Sequence, residues 1–390
     1  MGRVFGSACL IAGTAIGAGI LALPMVLIHL SLSQSLILML GVWMLAYYSA
    51  LLGSELVLRA QAPLSLGDLS QKFAGSGARF LGQFCFLGLC FSLLSAYLSG
   101  TASLLHVHLP NFSLSALQFL SAVSYLVILV LSMSAIDKLN RVLFIIMLCI
   151  LTAFTAVLAQ VIDWSVPLHV LPDGTPSSIL ATIPVVFTSF GFQIIFHTIG
   201  DYLGLCPQKM KRSFFWGSLI PAVVYILWTC ISVLAIVGSD AHLVMAVKTN
   251  SLDVGQFMSL LGTLTQSSIF ASLSWFLSIL AIVTSAIGVG LGLMHTLEVI
   301  LKNRFFASVL TILPAYFVVS FIPGAFIQAL GFAGMILVVI ALLLPMYLLY
   351  RSDDRETYYP LLSNKLLRLL VILVSFGIMA IEIAHLLKWL

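Results

Sequence analysis

Long apolar runs alternate with short polar segments along the whole chain. They cover roughly 4–28, 35–58, 80–105, 115–135, 142–162, 177–200, 213–237, 268–293, 305–322, 326–350 and 365–388. Each is close to the length, about 20 residues, that a helix needs to cross hydrocarbon. The pattern therefore predicts an all-α polytopic membrane protein with eleven transmembrane helices. The first run is not a signal peptide: it is too long, follows only Arg3, and is interrupted by glycines and Pro24. The spans fall into two blocks of five, over 1–162 and 177–350, with one helix appended at 363–390. Five is odd, so the second block starts on the opposite face and is inverted relative to the first.

Composition makes lipid the solvent. Apolar residues are 61% of the chain and charged residues 8%, against roughly 25% charged in an ordinary soluble protein. This excludes a secreted enzyme, a nucleic-acid binder and a disordered chain. The net charge of +4 identifies no partner, and the basic residues form no patch. They do set an orientation. With the N-terminus in the cytoplasm, Arg3, Arg59, Lys72, Arg79, Lys138, Arg141, Lys209, Lys211, Arg212, Lys302, Arg304, Arg351, Arg355, Lys365 and Arg368 share the inner side; only Lys248 and Lys388 lie outside. One missed or invented span would scramble that asymmetry. It places the C-terminus outside and makes 238–267 the longest outer loop. The six cysteines match no metal or redox spacing and are expected to be inert.

Two spans carry features that weaken a helix. The first reads Gly13-Thr14-Ala15-Ile16-Gly17-Ala18-Gly19 before Ile20 to Pro24; each glycine costs a helix about 1 kcal/mol relative to alanine. Either Gly13 and Gly17 form a close-packing GxxxG pair, or the backbone unwinds at the bilayer midplane. The sixth span reads Pro184-Val185-Val186-Phe187-Thr188-Ser189-Phe190-Gly191-Phe192-Gln193, again small, polar and glycine-bearing at mid-span. Interrupted helices at corresponding positions of two repeats point to a transporter site. Lipid cannot satisfy freed backbone groups, but a zwitterion can. N–H groups near Gly17, Ala18 and Gly19 suit a carboxylate, and carbonyls near 12–14 suit an ammonium. Gly13, Thr14, Ala15, Gly17, Ala18 and Gly19, with Thr188, Ser189, Phe190, Gly191, Phe192 and Gln193, are thus the candidate substrate residues. Neither segment contains a charged side chain.

These motifs resemble the hydroxy and aromatic amino acid permease family, above all its tyrosine-specific branch. Its carriers are Ala12 through Pro24, Tyr48 to Leu52 followed by Glu55, Pro184 through Phe192, Thr284-Ser285 followed by Gly288 to Leu293, and Pro323 to Phe326 followed by Ala329 to Gly334. The resemblance spans nearly the whole chain. It implies a leucine-transporter-like 5+5 inverted repeat in a bacterial inner-membrane symporter that imports tyrosine or tryptophan, usually with protons. Departures follow Phe192, where the chain has Gln193, His197 and Asp201, and Leu293, where it has Met294-His295.

The other polar residues carry two readings each. Ser92, Ser95 and Ser99 share one face of the third span, either as helix-packing hydroxyls or bordering the substrate ring with Phe190 or Phe192. Tyr97 projects elsewhere and is expected to pack. Glu55 is an intramembrane carboxylate and a relay candidate, or it pairs with a neighbouring helix. Glu298 and Glu382 are weaker candidates, and His197 could titrate near neutral pH. Thr284 and Ser285, one turn after Ala281, resemble a sodium site; the fifth span has no Lys or Arg to replace sodium. Expected partners are an aromatic amino acid, a coupling cation and the bilayer. No cofactor or metal is expected: Asp353-Asp354-Arg355-Glu356 lacks the second acidic cluster of membrane prenyltransferases, and His106 and His108 lack a third ligand. Gly288-x-Gly290-x-Gly292 follows no strand and is not a nucleotide loop. Asn111-Phe112-Ser113 is only a formal sequon. Rival readings are a tryptophan or small hydroxy amino acid carrier, sodium coupling, a channel or a membrane-embedded enzyme.

Overall fold

In a computed structural model the described residues are almost entirely helical. The structure describes residues 2–131, 133–162, 164, 174–239, 252–322, 324–352 and 357–387. The helices in chain order are α1 (Gly2–Ala15), α2 (Gly19–Leu27), α3 (Leu32–Ala60), α4 (Leu66–Ala74), α5 (Ser76–His108), α6 (Leu114–Val130), α7 (Met133–Val161), α8 (Pro176–Ser189), α9 (Phe196–Leu203) and α10 (Pro207–Ser239). They continue as α11 (Val254–Leu264), α12 (Ser268–Leu301), α13 (Arg304–Phe321), α14 (Phe326–Val338), α15 (Leu344–Arg351) and α16 (Lys365–Leu386). A 3₁₀ segment (Gly191–Ile195) joins α8 to α9, and a π-helical turn (Val339–Leu343) joins α14 to α15. Among the described residues, nine helices or helix runs are long and apolar enough to cross a membrane. The pair α1 and α2, bent by 57°, makes a tenth. Helix α6 is apolar but shorter.

Local sequence explains where helices begin. Ser31 and Gln34 form a capping box at α3, and Asp253 and Gln256 form another at α11. Thr175 accepts from Ser178 N–H at the start of α8, where Pro176 fits the first turn because its missing N–H would be unpaired there anyway. Two helices lie where only loops were expected. Helix α4 is too short and polar to span, and α11 sits within the 238–267 segment. Ser103 binds α11 to α5, donating to Asp253 Oδ1 at 2.7 Å and accepting from Gly255 N–H at 2.8 Å. The acidic motif 353–356, Pro323 and Lys248 lie outside the described residues.

Side-chain hydroxyls bond to helix carbonyls inside the bundle. The π turn displaces backbone bonding, and Ser49 donates to Ala341 O within it at 2.6 Å. Ser92 donates to Ala329 O at 2.6 Å. Ser95 donates to Phe91 O at 2.8 Å and approaches Ala315 O at 3.4 Å. This candidate substrate residue thus turns its hydroxyl to α5 itself and to α13.

Candidate functional site: facing interruptions in two helices

The first helix stops at Ala15 and restarts at Gly19. Gly13 and Thr14 are still helical: Thr14 Oγ1 donates to Leu10 O at 2.8 Å, and a Cβ on Gly13 would make only ordinary contact with the Phe144 ring at 3.6 Å. The tight glycines are the later two. A Cβ on Gly17 would stand 2.2 Å from Ser285 Oγ, and one on Gly19 would stand 2.8 Å from Ser189 Cβ. At approaches this close, any side chain added at either glycine must displace its serine neighbour. The bonds a continuous helix would form from Gly17 N–H to Gly13 O and from Ala18 N–H to Thr14 O are not made. Ala18 N–H instead donates to Ser285 Oγ at 3.1 Å.

Helix α8 loses its regular bonding opposite this point. Phe190 N–H turns back to Phe187 O at 3.1 Å and the chain continues as a 3₁₀ turn until Phe196. Tyr225 of α10 ties the two interruptions together. Its hydroxyl donates to Ala15 O at 2.6 Å and lies 3.0 Å from Ser189 O. One turn along α10, Trp228 Nε1 donates to Ile20 O at 2.6 Å. Phe190 packs edge-on to the Tyr225 ring, with centroids 5.3 Å apart. Phe190 and Phe192 are both fully buried. Gln193 is 1% exposed, and neither end of its amide finds a partner among the described residues. An unpaired buried amide is costly.

Thr188 and Gly191 face α14. Thr188 Oγ1 sits 2.9 Å from Pro184 O and 2.8 Å from Leu330 O, and a Cβ on Gly191 would meet Leu337. On α12 the two hydroxyls divide. Ser285 reaches the first-span interruption, whereas Thr284 donates to Leu280 O in its own helix at 2.8 Å.

Tyr97 is a correction. Its hydroxyl does not merely pack but lies beside Ser285, next to the first-span interruption. Tyr225 and Trp228 were not singled out from sequence at all. The available signal was polar-tipped aromatics one turn apart in mid-span, because buried Tyr and Trp need partners for their O–H and N–H groups.

The ionisable candidates lie elsewhere. Glu55, 0% exposed, accepts from Arg59 Nε at 3.0 Å and from the N–H groups of Tyr358 and Tyr359 at 3.2 and 3.3 Å. Arg59 also donates to Ser352 Oγ at 2.8 Å. This network clamps the end of α3 to Ser352 and to the backbone of Tyr358 and Tyr359. Burial, and secondarily the Glu55 carboxylate, push the Tyr359 phenol above its ordinary pKa, which keeps it a donor to Pro207 O. His197 lies in α9, with Nε2 3.3 Å from Thr198 Oγ1.

Comparison with known proteins fits this arrangement. A solved manganese transporter from Eremococcus coleocola has the same overall fold, with TM-score 0.57 over 98% of this chain and 86% of that one at 13% identity. A tyrosine-specific transport system 1 from Haemophilus influenzae is 32% identical, covering 92% of this chain and 91% of its own. A glutamine transporter 2 from Aliivibrio fischeri is 28% identical, covering 91% and 90%. The tryptophan/tyrosine permease family matches residues 1–383. With two interrupted helices facing one another and the match running nearly end to end, the chain belongs to the tryptophan/tyrosine permease family of membrane transporters, not to a family of enzymes.

Proposed function

We propose that this permease is a secondary active symporter that imports an aromatic amino acid, tyrosine first, with protons across a bacterial inner membrane. The architecture in this reading is eleven spans: 1–162 and 177–350 as inverted five-helix repeats, and 363–390 appended. The observation that carries it is the juxtaposition of Gly19 with Ser189 at the two interruptions. The substrate carboxylate would dock at the N–H groups from Gly17 to Gly19, at the positive end of α2. The ammonium would meet the carbonyls of Gly13 and Thr14, which lack their helical donors. The aromatic ring would lie toward Phe190, Phe192 and the Gln193 amide, where stacking adds about 0.5–1.5 kcal/mol beyond area burial.

Tyrosine uptake into cells expressing the protein is expected to saturate. Phenylalanine and tryptophan should compete better than leucine, serine or glutamine. Uptake should collapse with a protonophore and persist without sodium. Competition by serine or glutamine alone would overturn the aromatic assignment, and uptake that never saturates would favour a channel. If sodium removal abolishes uptake, Ser285 and Thr284 become the coupling site.

The basic-residue asymmetry supports an inner N-terminus and an outer C-terminus. Gln208 and Gln266 are exposed at opposite ends of the bundle in this reading. Single cysteines there, Gln208→Cys and Gln266→Cys in a cysteine-free background, are expected to label from the cytoplasmic and outer faces respectively. Labelling of both from one face would sink the eleven-span topology.

A further inference from the structure

A buried carboxyl lies outside both interrupted helices. Glu382 of α16 is 2% exposed, and its Oε1 has no hydrogen-bond partner among the described residues. The helical elements packed most against α16 are α8, α14 and the π turn Val339–Leu343. None carries a charged or titratable side chain. On its own helix, His385 is exposed one turn further on, and Lys365 and Arg368 lie at the opposite end. No cation faces the carboxyl from any of these elements.

The carboxyl lies directly on the backbone of α14. A Cβ on Gly331 would stand 2.8 Å from Glu382 Oε1 and 2.9 Å from Oε2. One turn along, a Cβ on Gly334 would stand 2.2 Å from Pro184 O and 2.7 Å from Thr188 Oγ1. Two glycines three apart therefore pack α14 by its backbone against Glu382 and against the end of α8. That end of α8 is where the sixth-span interruption begins.

We propose that Glu382 is a proton-binding site of this transporter, and that its protonation state controls how α14 seats against the interrupted sixth span. This rests on the symport reading above and adds the residue that holds the proton. An ionised carboxylate without a cation or donor in an apolar packing is very costly, and such groups instead become neutral. The packed arrangement described here holds the neutral acid. When Glu382 gives its proton to water, the carboxylate needs hydration, and α16 and α14 must part to admit it. A proton taken from the outer aqueous phase restores the acid and the packing. Gly334 transmits that packing to Pro184 and Thr188, so proton binding and the geometry beside Ser189 and Phe190 are linked. Protons and substrate then raise each other's affinity reciprocally.

The test combines a spectroscopic and a transport measurement. Infrared difference spectra of purified protein between acidic and alkaline buffer are expected to contain the C=O stretch of a protonated carboxylic acid, shifted by deuteration and absent in Glu382→Gln. In proteoliposomes with tyrosine as probe, Glu382→Gln should lower the ratio of pH-driven accumulation to counterflow at least tenfold, because counterflow needs no net proton movement. A Glu382→Gln protein with the wild-type ratio would overturn the proposal. So would wild-type spectra with no such band at any pH, a result that does not depend on the variant folding. If the wild type moves no tyrosine, the substrate reading fails, and the infrared band still decides whether Glu382 binds a proton.

Discussion

Purified Gly17→Leu protein is expected to bind tyrosine at least a hundredfold more weakly than the wild type while remaining monodisperse. A Cβ at residue 17 would stand 2.2 Å from Ser285 Oγ, so any side chain must expel that hydroxyl and break its bond from Ala18 N–H. Alanine needs only a rotation of Ser285 and the loss of one hydrogen bond, worth about 1 kcal/mol, or roughly fivefold in affinity. Leucine fills the gap further. As a good helix former, it also favours returning Gly17 N–H to Gly13 O and closing the interruption. The backbone groups offered to the substrate then disappear into helix. Ser285→Ala separates the two effects, since it removes the hydroxyl and leaves the glycine. Near-wild-type affinity in monodisperse Gly17→Leu would show that this backbone is no part of the site.

Glu55→Ala is expected to lose about 3–5 kcal/mol of stability, the usual cost of removing one partner of a buried ion pair. Arg59 is 7% exposed and would keep its charge without the carboxylate. The N–H groups of Tyr358 and Tyr359 would lose their acceptors as well. Glu55→Gln retains an acceptor oxygen but not the charge, so its loss should be intermediate. The measurement is the thermal midpoint in detergent together with monodisperse yield. A Glu55→Ala protein with an unchanged midpoint and no pH-driven accumulation would make Glu55 the proton relay in place of a structural clamp.

How much was legible in advance differs by feature. Helix positions were legible because length, apolarity and capping residues are local properties. The runs at 35–58, 213–237 and 365–388 correspond to Leu32–Ala60, Pro207–Ser239 and Lys365–Leu386. The place of the first interruption was legible too, since Gly17 and Gly19 weaken any helix wherever it sits. Its extent was not. Glycine content suggested unwinding from residue 13, but Gly13 faces the Phe144 ring at an ordinary distance and nothing there prevents the helix from continuing.

Partnership was not legible, because it depends on which distant helices meet. Ala18 and Ser285 are 267 residues apart, and Tyr225 and Ala15 are 210 apart. No spacing rule connects them, so Ser285 read equally well as an ion ligand, Tyr97 read as packing, and Tyr225 was not singled out. The same holds for the carboxylates. In sequence, Glu382 is an isolated acid in an apolar helix, and Glu55 has only Arg59 one turn on. Tertiary structure adds the N–H donors of Tyr358 and Tyr359 to the local Glu55–Arg59 pair, and sets Glu382 against the backbone of Gly331. Hydrophobic periodicity settles where a side chain sits along the membrane and on which face of its helix. The neighbours packed against that face decide whether a buried polar group is paired, and therefore what chemistry it can perform.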